Sequence, residues 1–280
     1  MKSTWSPALG ALLAAALLPT FTSAQTNAPV VAPVVAPVVA PVPRTDRNSQ
    51  LAHEQLLAKA RQGGIDLYFV GDSIIRRWGS SDAQYRDLLA NWTTNFHGWN
   101  AGNFGWGSDT VQHILWRLEN GELAGVRPKV IVLLAGTNNL KPGDTGERGD
   151  ARITEVTAGI RAILDSVQRQ APAATVILTG VLPRNSPGES LTLMPTIRRL
   201  NARLAGFADS QRIRYLDLDA RLADRDGKLL AGMMHDGVHP TVQGYQVWAD
   251  ALKPILTELL GPPAKEDNAP PPTGDPSAKP

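Results

Sequence analysis

Hydrophobic positions in this chain fall into two patterns that take turns. Short continuous runs, Leu67-Tyr68-Phe69-Val70, Val130-Ile131-Val132-Leu133-Leu134 and Val176-Ile177-Leu178, read as buried strands, with a weaker strand over 99–103 and another over 213–218. Between them, apolar residues recur every three or four positions. Helices are predicted over 48–61, from Ile74 to Trp78, and over 82–92, 109–119, 153–168, 197–207 and 241–260. The last carries Tyr245, Trp248, Leu252, Ile255, Leu256 and Leu259 on one stripe, with Pro254 expected to kink it. Such alternation predicts an α/β fold: a three-layer α/β/α sandwich around a central, flavodoxin-like parallel sheet of about five strands. Sites in that architecture lie at the carboxyl ends of the strands.

The ends of the 280-residue chain break the pattern. Residues 1–24 hold Lys2, an apolar run from Ala8 to Leu18 and small residues at Thr22-Ser23-Ala24, the layout of a cleavable secretory signal. That run is too short to span a bilayer, so no stable membrane insertion is expected after cleavage. Residues 25–45 repeat Ala-Pro-Val-Val and read as a polyproline-like linker; residues 262–280, with Pro270-Pro271-Pro272, read as a disordered Pro-rich tail. One domain, 46–261, remains. The expected setting is periplasmic or extracellular, at the cell surface.

Charge and cysteine narrow the chemistry. With 28 Lys and Arg against 26 Asp and Glu, dispersed along the chain, nothing marks a nucleic-acid surface. With no cysteine, thiolate nucleophiles, disulfides and Cys-based metal sites are excluded.

Four stretches fall at predicted strand ends: Gly71-Asp72-Ser73, Asn103-Phe104-Gly105-Trp106-Gly107-Ser108-Asp109, Gly136-Thr137-Asn138-Asn139, and His235-Asp236-Gly237-Val238-His239-Pro240. Singly, each has a plain structural reading. Ser73 suits a helix N-cap, Asn138 a turn, His239 the surface. Together they supply what acyl transfer needs. A serine becomes nucleophilic when an imidazole takes its proton, and the imidazole needs an acid to hold its tautomer. A glycine-rich turn and an asparagine offer N–H donors for the oxyanion. An ionised Asp236 tends to raise the pKa of His239, while burial of the ring pulls the other way.

The four stretches resemble the four blocks of the SGNH (GDSL-type) hydrolases. From Asn103 through Leu118-Glu119-Asn120-Gly121-Glu122-Leu123 to Asn139 the chain is similar in particular to the catalytic subunits of platelet-activating-factor acetylhydrolases. The resemblance implies Ser73 as nucleophile, His239 as general base and then acid, and Asp236 as its partner. It further implies an oxyanion hole from the N–H of Ser73, an N–H in the second block and the Asn138 side chain. Ser108 stands where the family's donor is usually glycine.

The reaction expected is hydrolysis of short-chain, above all acetyl, esters through an acyl-enzyme, with a small acylated molecule as partner and no cofactor. Carbohydrate O-acetylesterase and lysophospholipase or thioesterase activities are alternatives, the first because Trp78, Trp99 and Trp106 could stack on sugar rings, Trp106 best placed. Two other classes are weighed. A zinc site from His235 and His239 needs both on one helical face, against which Gly237 and Pro240 argue, and a non-catalytic binding module would not require all four polar residues. Oligomeric state is not legible.

Overall fold

The apolar runs pair as one parallel sheet of five strands in the order β2-β1-β3-β4-β5: β1 Leu67–Gly71, β2 Ala101–Gly105, β3 Val130–Leu134, β4 Thr175–Thr179 and β5 Ile213–Leu216. These coordinates are a computed structural model describing residues 1–4, 39–185, 193–209 and 211–278. Eight helices among them are α1 Arg47–Gln62, α2 Ser73–Trp78, α3 Arg86–Phe96, α4 Val111–Arg117, α5 Gly146–Gln170, α6 Leu193–Ala205, α7 Asp219–Leu222 and α8 Val242–Leu260.

Strand alternation divides the core. Tyr68, Val70, Ile131 and Leu133 pack with Leu56 of α1, Ile114 of α4, Ile160 of α5 and Ile197 of α6. Leu67, Phe69, Val130 and Val132 point the other way, into a second core with Trp78, Trp92, Phe96, Tyr245 and Trp248. The continuous apolar runs are thus explained: β1 and β3 are buried on both faces. In the second core Trp78 stacks on Tyr245 with centroids 4.7 Å apart and meets Trp92 edge-on. Truncating a fully buried Trp of this kind costs ~3–5 kcal/mol.

This three-layer arrangement is the predicted one. Because the chain steps from β1 to β2 on one side and to β3 on the other, the sheet has a switch point at the carboxyl end of β1. Ser73 follows that strand directly. Register brings Gly71 level with Gly105 and Leu134, so three of the candidate stretches leave the sheet at one height.

Boundaries differ where periodicity is silent. α5 starts at Gly146, ahead of the predicted 153, because its first turns are polar and carry no apolar stripe. α8 continues through Pro254 to Leu260. The chain divides into a unit of residues 1–35, of which only Met1–Thr4 are described, and a unit of residues 36–280 that carries the fold. The signal-like segment therefore lies almost wholly outside the described residues. No described helix is long and apolar enough to cross a membrane.

Both proline-rich boundaries need correction. The tail expected to be disordered lies along the domain as far as residue 278. Ala264 donates its N–H to Gly98 O (2.9 Å), Asn268 to Asn100 Oδ1 (2.7 Å), Ser81 to Thr273 O (3.2 Å) and Lys59 Nζ to Thr273 Oγ1 (3.2 Å). Proline removes its own N–H, but the residues between the prolines keep theirs. The linker likewise ends early, since Val42 N–H reaches Gln112 O (3.1 Å) and Arg44 is docked on the second block.

Candidate active site

The local sequence delivers Ser73 to the end of β1. Asp72, not Ser73, caps α2: its Oδ1 accepts the Ile74 N–H (2.9 Å), leaving the Ser73 hydroxyl unused by the cap. Ser73 becomes the first residue of the helix, where its own N–H has no acceptor within the helix. Packing fixes the angle of approach. A Cβ on Gly105 would lie 2.3 Å from the Arg76 N atom and 2.8 Å from Asp72 O, so only glycine lets α2 sit this close to β2.

His239 arrives from the loop between α7 and α8. That loop is closed by a bridge between Met234 and Pro240 and turns at Gly237, whose φ is +79°. His239 Nε2 lies 2.8 Å from Ser73 Oγ, and Nδ1 lies 2.8 Å from Asp236 Oδ2. Asp236 Oδ1 also accepts the N–H groups of Val238 (3.1 Å) and His239 (2.9 Å). Serine, imidazole and carboxylate form one hydrogen-bonded relay, with both ring nitrogens engaged and no helix through 235–240.

The second and third stretches meet beside Ser73. Trp106 N–H donates to Gly71 O (3.1 Å), tying the turn after β2 to the strand that carries the serine. Asn138 Nδ2 donates to Asp109 O (2.9 Å), and Arg184 Nη1 to Thr137 O (2.9 Å). Ser108 lies in the left-handed region, with φ +62°. For a residue with a side chain this backbone costs ~1–3 kcal/mol and persists only where its surroundings hold it.

Against known families, residues 69–247 match the GDSL-like lipase/acylhydrolase family. The chain belongs to that family. Among curated relatives it is 34% identical to platelet-activating factor acetylhydrolase IB subunit alpha1 of Bos taurus, over 80% of this chain and 89% of that one. It is 33% identical to subunit alpha2 of Gallus gallus, over 74% and 83%. A GDSL-like lipase from Bacteroides thetaiotaomicron superposes with a TM-score of 0.57 at 21% identity, covering 75% of this chain and all (100%) of that one. An acetyl-xylooligosaccharide esterase from Geobacillus, crystallised as a mutant, gives 0.51 at 17%, covering 71% and 95%. At these identities the structures speak to fold alone.

Electrostatically, this GDSL-type acylhydrolase treats its site groups unequally. Burial would raise the Asp236 carboxyl, but the backbone N–H and ring of His239 and the Val238 N–H outweigh it and hold Asp236 below the usual range. His239 is lowered, first by burial and then by the Arg77 guanidinium, against Asp236, which favours the charged ring. The expected upward pull of Asp236 is therefore present and loses. Asp72 is pushed up to about 7 by burial, with the Ile74 N–H opposing and Asp109 adding to the rise; its Oδ2 is buried without a hydrogen-bond partner.

Trp106, expected to face substrate, is largely enclosed and lines a small cavity with Arg44, His53 and Trp116. It is buried, its indole N–H donates to Ser49 Oγ (2.8 Å), and the Arg76 guanidinium lies 4.6 Å from its ring centroid. Trp78 and Trp99 are buried too, so none of the three offers a sugar platform. A cavity of about 520 Å3 opens instead beside Asp236, lined by Arg77, Tyr85, Leu88, His235, Thr241 and Val242 among others.

Sequence reasoning missed the arginines. Arg77 Nη1 lies 3.4 Å from Asp236 Oδ2. Arg117 is buried beneath the second block: Nε donates to Asp109 Oδ2 (2.7 Å), Nη2 to Gly71 O (3.2 Å), and Nη1 to Phe104 O (3.1 Å) and to Glu122 Oε2. Burial opposes its charge, yet Glu122 and Asp109 raise its pKa above the ordinary arginine value. One signal was readable. Arg117 stands three residues after Ile114 on the buried face of α4, where a lone charge needs a partner.

Proposed function

We propose that the protein is a serine esterase that hydrolyses short-chain, above all acetyl, esters through an acyl-enzyme. The carrying observation is the relay from Ser73 Oγ through His239 to Asp236, with two contacts of 2.8 Å. His239 takes the Ser73 proton as Oγ attacks the ester carbon. The resulting oxyanion is held by the N–H groups of Ser73 and Ser108 and by Asn138 Nδ2, each such donor contributing on the order of a hundredfold in rate. His239 then returns the proton to the departing alcohol, and a water repeats the sequence on the acyl-enzyme.

The acetyl preference draws on relatives that bear the name acetylhydrolase. The cavity beside Asp236, lined by charged, polar and apolar side chains alike, is the space that takes the alcohol portion in this reading. Export follows from residues 1–24 and is checked by the mass of the mature protein recovered outside the cytoplasm.

Turnover of 4-nitrophenyl acetate by the wild type and by Ser73→Ala tests the assignment. Loss of turnover in the variant supports it; a Ser73→Ala enzyme as active as the wild type overturns it. A chain-length series of nitrophenyl esters tests the acyl preference, and a maximum at octanoyl or longer rejects it.

A further inference from the structure

Ser108 is the weak point of the proposed oxyanion hole, because a residue with a side chain occupies a backbone conformation that favours glycine. It is also exposed, so the core does not pack around it. Both neighbours, however, are tied to one guanidinium. Arg44 Nη1 donates to Gly107 O (2.9 Å) and to Asp109 Oδ1 (3.3 Å), bracketing Ser108 from either side. The same side chain is anchored behind: Nε donates to Asp46 Oδ2 (3.1 Å) and Nη2 lies 2.9 Å from that atom, while Asp46 Oδ1 caps α1 by accepting the Ser49 N–H (2.9 Å). A planar fork can hold a carboxylate on one edge and the turn on the other; an ammonium cannot.

We infer that Arg44, contributed by the segment before the domain's first helix, is a positioning residue that holds the Ser108 N–H in line for the oxyanion. This rests on the proposed reading of the site. Its chemistry is differential: the clamp should matter when charge develops on the carbonyl oxygen and little while substrate is merely bound. Asp109 carries the effect further, because its carbonyl accepts from Asn138 Nδ2, the third proposed donor. One surface arginine therefore bears on two of the three donors. Its side chain is 24% exposed and belongs to neither apolar core, so it can be changed without opening one.

The test is steady-state kinetics with 4-nitrophenyl acetate on full-length wild type, Arg44→Ala, Arg44→Lys, Ser108→Gly, the Arg44→Ala/Ser108→Gly double variant and Ser73→Ala. Arg44→Ala should lower kcat about tenfold, less than outright loss of a donor, with KM within about twofold and a near-native thermal transition. Arg44→Lys should recover part of the loss, since it can still reach one acceptor. In the Ser108→Gly background the penalty for removing Arg44 should shrink to about threefold or less, because glycine holds the left-handed φ unaided. An Arg44→Ala enzyme with wild-type kcat, or one whose loss lies wholly in KM, overturns the inference. So does an equal loss with and without Ser108→Gly. If Ser73→Ala is inactive while Arg44→Ala is unaffected, the clamp alone fails; if Ser73→Ala remains active, the reading of the site fails beneath it.

Discussion

Two aspartates flank the two residues that matter most, and the protein treats them in opposite ways. Asp72 precedes Ser73 and is fully buried at the end of β1, with one oxygen capping α2 and the other without a partner. Asp236 lies three residues before His239 on a loop, 39% exposed, and gathers N–H bonds from Val238 and His239 as well as the ring. One carboxyl is pushed up to about 7 and the other held below its usual range. The serine side is thus fixed by the sheet and its buried charges; the histidine side is fixed by a short self-bonded turn. A nucleophile needs an immobile platform, whereas a base needs a tuned charge, and the two regions divide that work.

The largest effect should come from the tuned side. Asp236→Asn keeps the size of the side chain but removes the charge that orients His239, and should lower kcat about 10^3–10^4-fold. The thermal transition should move little, since the group is more than a third exposed. Combining it with Ser73→Ala should cost almost nothing beyond Ser73→Ala alone, as members of one relay are not additive. A wild-type rate for Asp236→Asn would show that the loop does not serve the serine at all.

The immobile side should answer in stability. Arg117→Met removes the buried cation that Asp109 and Glu122 share, leaving Arg44 and His53 at the edges of the pair, and should cost ~3–5 kcal/mol in chemical denaturation. If it folded as well as the wild type, the buried network would not be what anchors Gly71 and the second block.

Asp72 sharpens the contrast with a smaller effect of opposite sign. A folded-state pKa near 7, above the unfolded carboxyl near 4, means that the folded protein holds the proton more tightly. That contribution is complete below about pH 4 and is lost as pH rises toward 7. Asp72→Asn keeps an oxygen for the Ile74 N–H and never ionises. Relative to wild type it should therefore gain about 3–4 kcal/mol between pH 4 and pH 8, read from denaturation at the two values. A pH-independent difference would mean that Asp72 is not strained by its burial.

How much of this was legible depends on the range of the signal. The runs at 67–70 and 130–134 and the four polar stretches stand in the sequence because strand burial and strand-end chemistry are local. That the first three stretches gather follows from the alternation, since parallel strands all end on one rim; Asp236 and His239, expected directly after the last strand, instead reach Ser73 from the loop between α7 and α8, beyond what alternation places. What could not be read was set by pairs far apart in sequence: Arg44 on Gly107, Arg77 on Asp236, Thr273 on Lys59. Trp106 shows the converse error, for an aromatic at a predicted rim was in fact closed in by Ser49 and Arg76, neither of which the local pattern reveals.

The smallest predicted effect separates charge from orientation on the histidine side. His239 must be neutral to accept the Ser73 proton, so the acid limb of kcat/KM reports its titration in the free enzyme. Burial lowers that pKa, Arg77 lowers it further, His235 adds slightly in the same direction, and Asp236 opposes them. The limb should accordingly fall below the value near 6.5 of an unperturbed histidine. Arg77 lies against both Asp236 and the Tyr85 ring, on the wall of the open cavity, and touches neither Ser73 nor His239 by hydrogen bond. Replacing it by Gln removes the positive charge and keeps a polar side chain. The pKa should then rise, and the acid limb should move up by roughly half a pH unit, with the shift shrinking at high salt because the pair is partly exposed. At pH 8, where His239 is neutral in both enzymes, rates should agree within about threefold. A downward shift, or none, would mean that the charge of Arg77 does not bear on the imidazolium, and the tuned side of the site would then be governed by burial and the carboxylate alone.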